Sequence, residues 1–187
     1  MNVKDKFFLD RNNAVLVVID VQEKLCRAMD EKVLHRLVSN TSILQEAATE
    51  LGIPMLVTEQ YVKGLGETLP ALKQRLADPA IEKMTFSCCG ESAFPDRLSA
   101  LGKKQVIVTG METHVCVLQT VLALLGAGYT VHLVKDAVMS RHKENWQIGV
   151  ETARDAGAVI TSTEAALFQL LKVAGTEEFK KLSKLVR

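Results

Sequence analysis

Three side chains of this sequence have the chemistry of a nucleophilic site: the thiol of Cys116, the carboxylate of Asp20 and the ammonium of Lys83. A thiol attacks carbon as its thiolate, so it needs a base to take its proton and a positive charge to steady what forms. Asp20 suits the first task and Lys83 the second. Cys116 lies seven residues after Thr109, in the first turn of a segment with helical spacing. The unpaired N–H groups of a helix amino terminus favour thiolate over thiol. Each residue also has an ordinary reading. An Asp after a strand caps the next helix, a single Cys packs as a small apolar residue, and a Lys sits in water. Residue type alone leaves both readings open.

The elements that must position these groups are legible as short apolar runs: Ala14 to Ile19, Pro54 to Val57, Ile81 to Phe86, Gln105 to Thr109, Tyr129 to Val134 and Ala158 to Thr161. Most are continuous rather than alternating, the mark of strands buried on both faces of a parallel sheet. Helical stripes lie between them. Val33, Leu34, Leu37, Val38, Leu44, Ala48 and Leu51 form one that ends before Gly52 and Pro54, and Val115, Leu118, Leu122 and Leu125 form another stopped by Gly126 and Gly128. Alternating strands and helices with short connections imply right-handed crossovers and a three-layer α/β/α fold, for which a doubly wound parallel sheet is the natural arrangement. No repeat or linker divides the chain, so residues 1–187 read as a single domain.

Ligands of such sheets bind beyond the carboxyl ends of the strands, where the strand order reverses. If the order is 3-2-1-4-5-6, strands one and four, which Asp20 and Cys116 follow, are neighbours at that point, and the two residues then face one crevice. Lys83 is harder to place, because two steps of about 4.8 Å set the third strand roughly 10 Å from the first. Its side chain must lean across strand two. The longest irregular stretch, Glu59 to Leu69, follows strand two, where binding loops lie. Gly64-x-Gly66 within it lacks the third glycine and the helix of a nucleotide fingerprint.

Composition narrows the function classes. With 23 basic and 22 acidic residues the net charge is +1, and the one dense basic run, Lys180 to Arg187, reads as a solvated helix face, which argues against nucleic acid as a partner. The charged first residues do not resemble a secretory signal, and the longest apolar run is far short of the roughly 20 residues of a membrane span. A cytoplasmic protein with no membrane partner is expected. The four cysteines, Cys26, Cys88, Cys89 and Cys116, lack zinc-site spacing and read as free thiols. Adjacent Cys88 and Cys89 bridge poorly, since neighbouring Cα atoms lie closer than a disulfide prefers.

Taken in order, Val17-Val18-Ile19-Asp20-Val21-Gln22, Glu82-Lys83 and Val108-Thr109-Gly110-Met111-Glu112-Thr113-His114-Val115-Cys116-Val117 resemble the isochorismatase-like hydrolase superfamily over residues from about 12 to about 170. The resemblance implies a six-stranded parallel sheet, a triad of Asp20, Lys83 and Cys116, and a cis peptide between Met111 and Glu112. It also implies an oxyanion hole from the backbone N–H groups of Glu112 and Cys116, worth on the order of 3 kcal/mol per donor. The mechanism it implies is covalent, through a thioester acyl-enzyme with a small amide-like substrate, although relatives that act on vinyl ethers leave the bond open. Nicotinamidases of this superfamily bind a metal through Asp-x-His near strand two. This chain has Glu59-Gln60-Tyr61 there and no histidine between His35 and His114, so no metal and no cofactor are expected.

The stretches Val57 to Gly66 and Gly110 to His114 look like the branch called isochorismatase domain-containing proteins. Gln22, Tyr61, Phe86 and Thr113 are candidate substrate contacts, and His114 is a further one with a capping alternative. Relatives commonly assemble, so a homo-oligomer is implied, with the apolar stretch Leu167 to Val173 as a candidate interface. The competing functional reading is a catalytically silent small-molecule-binding or scaffold protein that retains the site, redox-sensitive at Cys116.

Overall fold

The apolar runs fold into six strands: β1 (Ala14–Ile19), β2 (Met55–Gln60), β3 (Ile81–Lys83), β4 (Gln105–Met111), β5 (Thr130–Met139) and β6 (Val159–Thr161). All pair in parallel in the order β3-β2-β1-β4-β5-β6, the doubly wound arrangement expected from the sequence. The structure is a computed structural model and describes residues 2–186.

Among the described residues the α-helices are α1 (Val3–Phe7), α2 (Glu23–Cys26), α3 (Glu31–Glu50), α4 (Val62–Leu65), α5 (Pro70–Lys73), α6 (Ala93–Ala100), α7 (Leu118–Gly126), α8 (Lys143–Asp155), α9 (Thr163–Leu171) and α10 (Glu177–Leu182). Alternate residues of β1 serve two apolar cores. Val15, Val17 and Ile19 meet Phe94 and Leu98 of α6, Val121 and Leu124 of α7 and Val150 of α8. Leu16 and Val18 meet Leu37, Leu44 and Ala48 of α3 and Ala166 and Leu170 of α9. Each fully buried Val or Leu contributes about 1.5–3 kcal/mol, so a central strand buried at every position anchors the register on both sides.

The strands depart from the apolar runs at their carboxyl ends. β2 continues through Glu59 and Gln60, and β5 through Lys135 and Asp136 to Met139, while β3 stops at Lys83 rather than Phe86. Hydrophobic patterning misses polar residues that remain in the ladder, and the switch edge is where polar residues are wanted. The stretch from Glu59 to Leu69 is therefore partly strand, followed by the short α4 and a bridge from Thr68 to Gln22. Cys116 falls in a π-helical turn (Thr113–Val117) ahead of α7 rather than in an ordinary first helical turn.

The candidate interface from Leu167 to Val173 divides, with Phe168 and Val173 exposed and the leucines turned inward. Leu167 and Leu171 pack internally with Ala47 of α3 and Leu182 of α10, because α9 closes the chain's own core. None of the helices among the described residues is long and apolar enough to cross a membrane.

Candidate active site

The site forms where β1 and β4 end side by side. Their register runs to Ile19 opposite Gly110, and a Cβ at Gly110 would lie 2.1 Å from the carbonyl oxygen of Ile19. Glycine, at φ 114°, is required for this close approach. One residue beyond Ile19, Asp20 is held at φ 52°, a left-handed conformation uncommon for a residue with a side chain and concentrated at functional positions. Its N–H donates to the carbonyl of Thr58 at 3.1 Å, which ties it to β2.

The Asp20 carboxylate is fully buried and met at both oxygens. Oδ1 accepts the Thr58 hydroxyl at 2.7 Å, and Oδ2 pairs with Lys83 Nζ at 2.7 Å. Lys83 reaches it as the strand order required, across the end of β2. Gln60 pairs in register with Lys83, and its side-chain Oε1 accepts the ammonium at 2.6 Å on the way. The carbonyls of Phe86 and Thr85 take the remaining directions at 3.1 and 3.3 Å. Burial of two charges is tolerated because each has its opposite and its hydrogen bonds.

Cys116 shares this pocket, where its thiol feels the charges of Asp20 and Lys83, with 6% of its surface exposed. Its thiol is pushed up to about 12, first by burial and then by the negative charge of Asp20, against the opposing pull of Lys83. The sequence-based expectation of a thiolate favoured by a helix end is corrected here: loss of water around the sulfur outweighs the helix dipole. The resting site holds a neutral thiol against a carboxylate. Cys88, also buried and also pushed up to about 12 by burial, is a neighbour of the same cluster. Its Sγ–H donates to Thr58 Oγ1 at 3.6 Å, and its backbone N–H donates to Thr120 Oγ1 at 2.9 Å. Thr120 in turn donates to the Cys116 carbonyl at 2.6 Å, clipping the two cysteine turns together.

The turn that carries Cys116 is fixed from both sides. The peptide from Met111 to Glu112 is cis, and the carbonyl of Glu112 accepts the N–H groups of Val115 and Val117 at 3.0 and 3.3 Å. The Glu112 carboxylate holds the Arg141 backbone N–H at 2.9 Å and its Nε at 3.2 Å, which joins the ends of β4 and β5. Behind the turn, a Cβ at Gly149 would sit 2.9 Å from the carbonyl of Thr113, so α8 packs there backbone to backbone.

The remaining sequence candidates divide. Tyr61 and Phe86 lie on either side of Lys83 along the chain, one donating its N–H to the Lys83 carbonyl and the other accepting Nζ, and their side chains are 45% and 56% exposed. The Tyr61 ring lies against Gly64. Thr113 is buried in the turn. Gln22 is corrected from substrate contact to scaffold: Oε1 accepts the Gln60 N–H at 2.7 Å, and Nε2 donates to the carbonyls of Gln60 and Gly66 at 2.9 and 2.6 Å. Every polar direction of that amide is occupied in holding the β2–α4 loop. His114 bonds Ser140 through Nδ1 at 3.0 Å. Sequence reasoning missed Thr58, Gln60 and Arg141. The first two share one face of β2 by the two-residue period of a strand, a signal that was present.

Among the described residues no group of three or more His, Cys, Asp or Glu side chains is arranged to hold a metal ion.

The six-stranded parallel sheet of order β3-β2-β1-β4-β5-β6, with helices on both sides, is the isochorismatase fold. The chain belongs to the isochorismatase family: the isochorismatase domain matches residues 14–165. It is 40% identical over 181 residues to the secreted isochorismatase effector Isc1 of Phytophthora sojae (strain P6497), covering 94% of this chain and 85% of that protein. It is 35% identical to isochorismatase domain-containing protein 2 of Danio rerio, over 95% of this chain and 89% of that one. Among solved structures it is similar to one described as the MAR1 ribonuclease of Caenorhabditis elegans, with a TM-score of 0.89, 38% identity and coverage of 96% and 92%.

Proposed function

We propose that the chain is a single-domain, metal-independent cysteine hydrolase of a small amide-like metabolite or a related carbonyl compound, acting through Cys116, Asp20 and Lys83. The observation that carries this reading is the Asp20 carboxylate. With Oδ1 on Thr58 and Oδ2 on Lys83, it is held in one orientation in the pocket it shares with the Cys116 thiol, which feels its charge.

In the proposed mechanism the S–H proton passes to Asp20 as the sulfur attacks the carbonyl carbon, so the thiolate never accumulates in the free enzyme. The oxyanion that forms accepts from the backbone N–H groups of Glu112 and Cys116. Asp20 returns the proton to the departing amine, leaving a thioester on Cys116. Water then attacks the thioester, giving a proton to Asp20, which passes it to the departing sulfur, so that the acid leaves and the thiol and the carboxylate are both restored. Lys83, whose ammonium hydrogen-bonds Gln60, Thr85 and Phe86 and pairs with Asp20, acts as a fixed positive charge beside Asp20 and Cys116. We further propose that Tyr61, Phe86 and Thr113 border the substrate. A cytoplasmic location and a homo-oligomeric assembly complete the proposal.

The test is turnover on a panel of small primary amides and activated esters by the wild type and by Cys116→Ser. Turnover abolished in Cys116→Ser supports the reading, and turnover retained overturns it. The burial of the thiol, with its pKa near 12, favours one alternative: a protein that binds the same ligands without cleaving them. That alternative predicts ligand-induced thermal stabilisation with no acyl-cysteine. The ribonuclease description of the C. elegans relative makes labelled RNA a necessary control. The balanced charge of this chain predicts neither cleavage nor salt-sensitive binding.

A further inference from the structure

Asp20 and Lys83 come from strands that are not neighbours, and the strand between them meets each with one side chain. Thr58 and Gln60 lie two residues apart on β2, both at most 8% exposed. The single hydroxyl proton of Thr58 goes to Asp20 Oδ1 at 2.7 Å. Its direction is fixed from behind, because the Thr58 oxygen also accepts the Cys88 thiol at 3.6 Å. Gln60 has an equally defined orientation. Its Nε2 donates to the Met84 carbonyl at 2.8 Å, so Oε1 must face the lysine, where it accepts Nζ at 2.6 Å. One side chain thus completes the carboxylate and the other completes the ammonium.

We propose that Thr58 and Gln60 are positioning residues for catalysis, Thr58 aiming the proton-accepting carboxylate of Asp20 and Gln60 holding the Lys83 ammonium against it. The inference rests on the cysteine-hydrolase reading above. A donor to a carboxylate favours its charged form, and an acceptor to an ammonium does the same for the cation. The two residues therefore favour, from opposite sides, the charged form of the pair.

The experiment uses the full chain with p-nitrophenyl acetate as an acylating probe, and the pH dependence of the nitrophenolate burst as readout. Iodoacetamide alkylation of Cys116 across the same pH range is read in parallel, since it needs no acyl acceptance. Thr58→Val is expected to lower the burst rate at least tenfold and move the lower inflection up by about one pH unit, the scale of one lost hydrogen bond. Thr58→Ser restores the inflection and brings the rate to within about threefold of wild type. Gln60→Met leaves the lower inflection in place and moves the upper one down. Inflections that stay fixed in both variants, or a Thr58→Ser protein that behaves like Thr58→Val, would overturn the proposal. A burst that survives in Cys116→Ser would overturn the underlying hydrolase reading, and the Cys116 alkylation profiles would still decide the roles of Thr58 and Gln60.

Discussion

The carboxyl edge of β1 and the middle of β5 both bury ionisable side chains, and they do so by opposite rules. At the edge, Asp20 and Lys83 keep their charges because each has the other at 2.7 Å and the polar groups of β2 and the Lys83–Phe86 segment around them. In β5, His132 is 1% exposed between Ile107 of β4 and Val159 of β6, and neither ring nitrogen has a partner among the described residues. Burial alone pushes its pKa down to about 4, so it is neutral in the folded protein. A parallel sheet can carry a charge where topology gathers partners for it, and elsewhere it must neutralise the group. The first arrangement can move a proton. The second only makes the fold sensitive to acid.

The largest effect in this contrast should come from removing the nucleophile. Cys116→Ser is expected to cost about a thousandfold or more in turnover of an amide or ester substrate while leaving the thermal midpoint nearly unchanged. Steady-state rates and a melting curve check both halves.

Breaking the pair from one side tests the first rule through stability. Lys83→Met leaves the Asp20 carboxylate buried without its cation, a change that typically costs about 3–5 kcal/mol. Lys83→Met combined with Asp20→Asn removes both charges and keeps a residue type that tolerates φ above zero. Urea titration should find the double variant more stable than Lys83→Met alone. A double variant that is the less stable of the two would mean the pair is not what holds this edge.

The sequence made some of this contrast visible and hid the rest. β1 was legible from end to end because every one of its residues is apolar and buried. The switch of strand order between β1 and β4 followed from alternation and handedness, which brought Asp20 and Cys116 to one crevice. The reach of Lys83 was not legible, since it depends on Gln60 continuing β2 beyond its apolar run and on a side chain that leans across a strand. The state of the thiol was hidden for another reason. Helix-end electrostatics can be guessed from position, whereas burial of the sulfur depends on how α7, α8 and the Cys88–Gly90 turn close around it.

His132 offers a test of the second rule. Its folded pKa of about 4 lies below the 6.5 of an accessible imidazole, so between those values the unfolded chain binds the extra proton. Stability from this residue is therefore complete above about pH 6.5 and falls as the pH drops toward 4, by about 3 kcal/mol in total. His132→Leu should flatten that part of the stability–pH curve, read from urea midpoints between pH 4 and pH 7. An unchanged slope in the variant would assign the acid loss to other groups.

The smallest expected effect separates the two buried thiols that feel the charge of Asp20. Cys88 feels the same charges as Cys116 but donates its thiol proton to Thr58. Cys88→Ala is expected to keep turnover within about threefold of wild type and to cost about 1 kcal/mol for the small cavity. Both thiols should also resist iodoacetamide at pH 7.5, with Cys116 labelled on the order of a hundredfold more slowly in the folded than in the urea-unfolded chain. Peptide mapping gives the rates site by site.

The central claim is that a thiol held neutral at rest becomes a nucleophile only when a carbonyl arrives and Asp20 takes its proton. It is tested most directly by intact-mass analysis of the enzyme quenched in acid during turnover of a small activated ester, followed by peptide mapping. The account predicts one acyl group on Cys116, absent from Cys116→Ser and strongly reduced in Asp20→Asn. Turnover with no acyl group on any cysteine, or an adduct that forms on Cys116 as fast in Asp20→Asn as in the wild type, would contradict it.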